Sequence, residues 1–299
     1  MTGVQDDWCS RQTTFAREPL AGSAPAAQMW VLIEQPGPWG HDALTDSHLD
    51  PSVGQRLRTW SSGQSIRLGT IRRPGHHADE HHTGEHQPPL ERTVFLAQTR
   101  PSNTWLLEAK LSDPEALLNL DPWALVNADR PPSELPGRLI ERVLLVCTNA
   151  KRDRCCAVAG RQLVADMADD YPDSVWETSH LGGHRFAPTL VSLPDGYLFG
   201  GPDAGQLSVA ACRGRSSLPD EAQAAELAAL RHWDITHPTP LTVDKLGDGR
   251  FQVASSDAIQ GSRASLTVTV NWVPAERPRP KSCGVATTEW LQLTTEVSL

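Results

Sequence analysis

Hydrophobic and polar positions change period several times along the chain. A continuous apolar run, Met29-Trp30-Val31-Leu32-Ile33, reads as a buried strand, ended by the turn-rich Gly37-Pro38-Trp39-Gly40. Val53, Leu57 and Trp60 then fall on one face of a helix expected over 51–60, with Pro51 early in it. Short strands are expected over Ser65–Ile71, Thr93–Gln98 and Thr104–Lys110. A helix follows over Asp113–Leu120, with Asp113 as N-cap and Pro114 in the first turn. The order is β-α-β-β-β-α.

Pro131–Pro136 (PPSELP) reads as a linker, after which the same order starts again. Leu139–Val146 is a predicted strand. Cys156–Asp169 is a predicted helix with Val158, Leu163, Val164 and Met167 at helical spacing. Strands are expected at Ser174–Thr178, Thr189–Leu193 and Gly196–Phe199, the last two joined by the turn Pro194-Asp195-Gly196. Leu218–Trp233 is an Ala-rich helix opened by Pro219-Asp220-Glu221. Beyond Trp233 the period becomes two. Leu241–Val243, Phe251–Ala254, Ala264–Val273 and Glu289–Thr295 suggest an antiparallel meander with Gly247-Asp248-Gly249 at one hairpin.

The expected fold is therefore α/β: two thioredoxin-like modules in tandem, the first degenerate, followed by a small antiparallel β segment. The expected divisions are residues 1–130, 137–233 and 234–299.

Composition narrows the setting. At 39% hydrophobic and 21% charged the 299 residues are those of a globular chain, and a net charge of −9 argues against a nucleic-acid partner. No apolar run of about 18 residues is present, and the first residues lack the basic-then-apolar order of a secretory signal. A cytoplasmic protein with no membrane partner is expected. Six cysteines in a chain of this length are too few for a disulfide framework. There is no C-x-x-C pair for thioredoxin-type exchange, and neither a G-x-G-x-x-G nor a P-loop for a nucleotide or dinucleotide.

Metal-ligand residue types gather in one window of the second module. Cys147 ends the first strand there, eight residues separate it from Cys156 at the start of the helix, and three separate His180 from His184 in the following loop. In a thioredoxin-like fold these positions meet at one end of the sheet. Two occupants suit such a set. A Cys2His2 zinc site uses the same side chains, but its cysteines are usually two to four residues apart and its histidines helical, which Gly182-Gly183 opposes. A [2Fe-2S] cluster accepts thiolates on one iron and imidazoles on the other, and it spans a wider space.

The chain resembles the sucrase/ferredoxin-like family. The resemblance is carried by VCTNAKRDRCCAVAGRQL (146–163) and VWETSHLGGHRFAPTLVSLPDG (175–196). It extends to EPLAGSA (18–24), WVLIEQPGPWG (30–40), CRGRSSLPDEAQAAE (212–226) and SCG (282–284), and so covers nearly the whole chain. One departure is Phe199-Gly200-Gly201, where a basic residue is expected after the first glycine. The resemblance implies a [2Fe-2S] cluster on Cys147, Cys156, His180 and His184. It also implies an electron carrier rather than an enzyme, served by a reductase and an acceptor protein. Replacing two thiolates by two imidazoles removes negative charge, which raises the potential above that of all-cysteine ferredoxins. The outer imidazole N–H groups make that potential fall with rising pH in the alkaline range.

Neighbouring features carry less. Cys156 gains from the N-terminus of its helix, whereas Cys155 lies about 100° round the same helix and reads as a spectator, with Cys155 in the place of Cys156 as the alternative. Lys151, Arg152 and Arg154 read as a solvated loop, with docking of an acidic redox partner as the sharper alternative. His76, His77, His81, His82 and His86 crowd one polar stretch that reads as a loop rather than a metal site. Cys9, Cys212 and Cys283 are isolated in sequence, Trp176 reads as packing, and no carboxylate pair suggests glycoside cleavage.

Overall fold

The run at residue 29 forms a strand because five consecutive apolar side chains can be covered on both faces. The structure, a computed structural model, describes residues 8–76, 89–259 and 262–298. In chain order α1 (Cys9–Ala16) precedes β1 (Met29–Glu34), α2 (Pro51–Trp60) and β2 (Ile66–Arg72). Then β3 (Arg92–Gln98) and β4 (Trp105–Leu111) lead through a 3-10 turn, Pro114–Asn119, to α3 (Pro122–Asn127). Next come β5 (Gly137–Leu139), β6 (Val143–Cys147), α4 (Arg154–Met167), β7 (Val175–Thr178) and β8 (Thr189–Leu193). They are followed by β9 (Tyr197–Gly200), β10 (Cys212–Arg215), α5 (Asp220–His232), β11 (Thr242–Gly247) and β12 (Arg250–Ile259). Last are β13 (Ser262–Pro274), β14 (Arg279–Pro280), β15 (Thr287–Thr288) and β16 (Leu291–Ser298). The architecture is mixed α/β, with a large sheet, few helices and a separate small antiparallel sheet. No helix among the described residues is long and apolar enough to cross a membrane.

The chain forms two compact units. One consists of Met1–Ala26, Gly182–Leu190 and Tyr197–Leu299; the other of Ala27–Leu181 and Val191–Gly196.

In the second unit the strands lie in the order β8-β6-β7-β2-β1-β3-β4-β5, with β8 entering through its last three residues. Strand β1 pairs parallel with β2 (Val31 opposite Leu68) and antiparallel with β3 (Val31 opposite Leu96). The crossover is α2, started by Asp50, whose carboxylate accepts the Ser52 N–H at 2.8 Å, and by Pro51 at the first helical position. Its apolar face, Val53 and Leu57, covers Met29, Val31 and Ile33 of β1 and Val94 and Leu96 of β3. Full burial of Leu57 alone contributes roughly 1.5–3 kcal/mol. The second crossover repeats this plan: β6 runs parallel to β7, and α4 buries Leu163, Val164 and Met167 beside them. An antiparallel pairing of β2 with β7, Ile71 opposite Thr178, connects the two halves.

Two expectations shift locally. The helix expected at Asp113–Leu120 is a 3-10 turn, and α3 follows it separately. Pro122 disfavours helical geometry at Asp121, so Asp121 becomes a second N-cap instead of a helical residue. The strand expected from Leu139 starts at Val143, and Gly137–Leu139 is a distinct edge strand on β4.

In the first unit β9 and β10 pair antiparallel with a bulge between Cys212 and Gly214. A four-stranded antiparallel sheet runs β11-β12-β13-β16, matching the alternation read from the sequence. Helix α5 packs its small alanines against β10, β13 and β16. The helix α1 and the strand β10 were not expected. Arg213 and Arg215 of this strand are both buried. Arg213 donates to the Gly182 carbonyl at 2.9 Å and to Ser23, and Arg215 pairs with Glu226 at 2.7 Å.

Candidate metal centre

Cys147 is the last residue of β6, a strand buried at every position, and it lies opposite Thr178 of β7. The parallel register fixes the rest of the geometry, because the chain leaving β7 reaches His180 two residues after Thr178, at the same end of the sheet. The chain leaving β6 turns back into α4. Asp153 caps that helix by accepting the Cys155 N–H at 2.9 Å, which places Cys156 third in the first turn. Gly160, one turn further on, lies so close to the Cys147 carbonyl that a Cβ there would overlap it. A glycine at this position lets the helix approach the end of the strand.

The result brings Cys147, Cys156 and His180 together. Both thiols are fully buried, and the sulfur of Cys147 is hydrogen-bonded with Cys156 and with His180. The bond from Cys156 holds the Cys147 thiol well below its ordinary range, against burial, with His180 and the backbone N–H of Asn149 adding to the effect. The same bond, with burial, pushes Cys156 well above it. The bond thus shifts the two thiols in opposite directions, with Cys147 the more acidic of the pair. Cys155 is also buried, but the thiol bonded to Cys147 is that of Cys156.

Charged residues inside apolar strands support this end of the sheet. Arg67 of β2 donates to the His180 carbonyl at 2.9 Å, and its charge acts on Cys147. Arg72 and Glu177 form an ion pair at 2.7 Å with both side chains about 3% exposed. Glu177 also accepts from the Thr148 hydroxyl at 2.8 Å, fixing the residue after Cys147. Arg72 reaches the Gly37 carbonyl and stacks on Trp39, 3.8 Å from the ring centre. Sequence reasoning missed this network. Its signal was present in the polar interruptions of IRLGTIR and VWET.

His184 belongs to the first unit, where it opens a 3-10 turn, His184–Phe186, after Gly182 and Gly183 at φ +87 and +70. These left-handed glycines break any helix between the two histidines. The Nε2 of His184 lies 2.7 Å from the carbonyl oxygen of Lys281. Arg185, next to it, shares the Glu18 carboxylate with Arg279.

The remaining candidates separate. Arg152 contacts the His41 ring at 2.9 Å, while Lys151 and Arg154 are exposed. Trp176 is buried edge-on against Phe95, centroids 5.3 Å apart, as a packing residue. His76 is exposed, and His77, His81, His82 and His86 lie outside the described residues. Burial pushes the Cys212 thiol up to about 12, which makes it an inert core residue.

A buried strand-end cysteine, with a helix-borne cysteine and a loop histidine bonded to its sulfur, marks this end of the sheet. The sucrase/ferredoxin-like family matches residues 20–225, and the chain belongs to that family. Comparison with curated proteins and with solved structures gives no match.

Proposed function

We propose that this protein is an electron carrier holding one [2Fe-2S] cluster on Cys147, Cys156, His180 and His184. The observation that carries the reading is the fully buried Cys147 sulfur at the end of β6, with Cys156 and His180 bonded to it. Membership of the family and the three-residue spacing from His180 support His184 as the fourth ligand. A cluster bound there contributes one-electron transfer at a potential raised by its two imidazoles.

The chain's own residues do the rest. Burial of both sulfurs excludes water from the cysteine side. The Asn149 N–H and the charge of Arg67 offset negative charge at Cys147. Glu177 and Arg72 hold Thr148, and with it the turn between the two cysteines. The tandem thioredoxin-like reading draws support from the order β4-β3-β1-β2, with β3 antiparallel to its neighbours, and from the matching β7-β6-β8 arrangement. A reductase protein delivers the electron and an acceptor protein takes it; the carrier itself catalyses no bond change.

The test is direct. Purified protein should be red-brown, with two irons and two sulfides per chain expected for this cluster type. A colourless protein containing one zinc would overturn the cluster.

A further inference from the structure

The sequence contains no C-x-x-C pair, yet the first unit brings two distant cysteines together. Cys9 and Cys283 lie 274 positions apart, and their sulfurs are 3.6 Å from each other. Cys9 is the first residue of α1 and is fully buried; Cys283 is partly exposed. The backbone N–H of Cys9 donates to the Cys283 sulfur at 3.4 Å. A helix-terminal N–H directed at a sulfur favours its nucleophilic thiolate form.

The surroundings hold the two segments together without the sulfurs. Arg279 binds the Glu18 carboxylate through two nitrogens, at 2.7 and 3.0 Å, and Arg277 donates to the Phe15 carbonyl at 3.1 Å. The turn carrying Cys283 can still adjust. Gly284, at φ +75, has open space where a Cβ would be, and Val285 is exposed. Closing the sulfurs to a bond length of about 2.05 Å needs only a local movement of that turn.

We propose that Cys9 and Cys283 are a redox-active dithiol that undergoes exchange with small-molecule disulfides such as oxidised glutathione. This goes beyond the electron-carrier reading and does not depend on it. The accessible Cys283 thiolate attacks one glutathione sulfur, forming a mixed disulfide and releasing one glutathione thiolate. Cys9, as thiolate, then attacks the Cys283 sulfur; the Cys9–Cys283 bond forms, the mixed disulfide breaks, and a second glutathione leaves. The two cysteine protons end on the two glutathiones. The protein loses two electrons and the glutathione disulfide gains them.

The test treats the intact, cluster-containing protein with oxidised glutathione, alkylates the remaining thiols and maps peptides by mass spectrometry. The expected result is loss of alkylation at Cys9 and Cys283 together, with a cross-linked peptide joining them that reappears as two alkylated peptides after reduction. Cys9→Ser should stop at a glutathione adduct on Cys283, and Cys283→Ser should leave Cys9 unmodified. Full alkylation of both positions in the oxidised wild-type protein would overturn the proposal even if neither variant folds. So would zinc that co-purifies and is released by alkylating these two thiols.

Discussion

Gly160 lies against the carbonyl of Cys147, where any side chain carbon would overlap the oxygen. This contact sets the distance between α4 and the end of β6, and therefore between Cys156 and Cys147. Gly160→Ala has to push the helix outward, at a cost of about 1–3 kcal/mol for overpacking. A lowered urea midpoint and reduced iron per chain are expected. An unchanged midpoint with full iron would show that the helix does not control the thiol pair.

Cys155 and Cys156 are adjacent, buried and chemically alike, but only Cys156 bonds to the Cys147 sulfur. Cys156→Ser should lose the visible chromophore and nearly all iron. Cys155→Ser should retain both. The reverse pattern would move the ligand by one position.

Replacing the fourth proposed ligand tests the imidazole chemistry. His184→Cys should keep a cluster while lowering its midpoint potential and weakening its alkaline pH dependence, since one titrating ring is gone. Potentiometric titration from neutral pH to about pH 10, well past the range of free histidine, reads both effects. A wild-type midpoint that stays flat over that interval counts against ligation by histidine.

The ion pair of Arg72 with Glu177 is buried on both sides. Arg72→Met leaves an uncompensated carboxylate, and a loss of about 3–5 kcal/mol in denaturant unfolding is expected. Arg72→Met combined with Glu177→Leu should recover much of it, because no charge is then left buried. A double variant weaker than the single one would contradict this account.

Burial pushes the Glu226 carboxyl up to about 7, although Arg215 acts in the opposite direction. The folded chain then holds this proton more tightly than the unfolded chain, whose glutamates titrate near about 4.3. Stability from this group is complete below the unfolded value, declines as the pH rises, and is gone above about 7. Urea midpoints should therefore fall between about pH 4.3 and about pH 7, the interval between the unfolded and folded values, and Glu226→Gln should flatten that slope. Parallel slopes in the two proteins would assign the effect to another group.

Much of the scaffold was legible because it rests on local rules. The apolar run of β1, Pro51 early in α2 and the alternation in β12 and β13 each match their elements. The cysteine at the end of β6 and the one opening α4 followed from the same reading. What escaped notice depended on distant partners. Arg213 and Arg215 are surface residues by type, and distant partners such as Gly182, Ser23, Glu226 and Leu241 make their burial tolerable. Arg67, Arg72 and Glu177 were hidden for the same reason. Cys9 and Cys283 looked unrelated because nothing local connects positions 274 apart.

The contact between His184 and Lys281 has one more implication. A carbonyl oxygen can only accept, so the proton of the neutral His184 ring is on Nε2 and the lone pair on Nδ1. The choice of tautomer is thus made by a backbone atom beyond residue 225, where the family match ends. Shortening the chain before Lys281 would leave every proposed ligand in place and still release the ring to present either nitrogen.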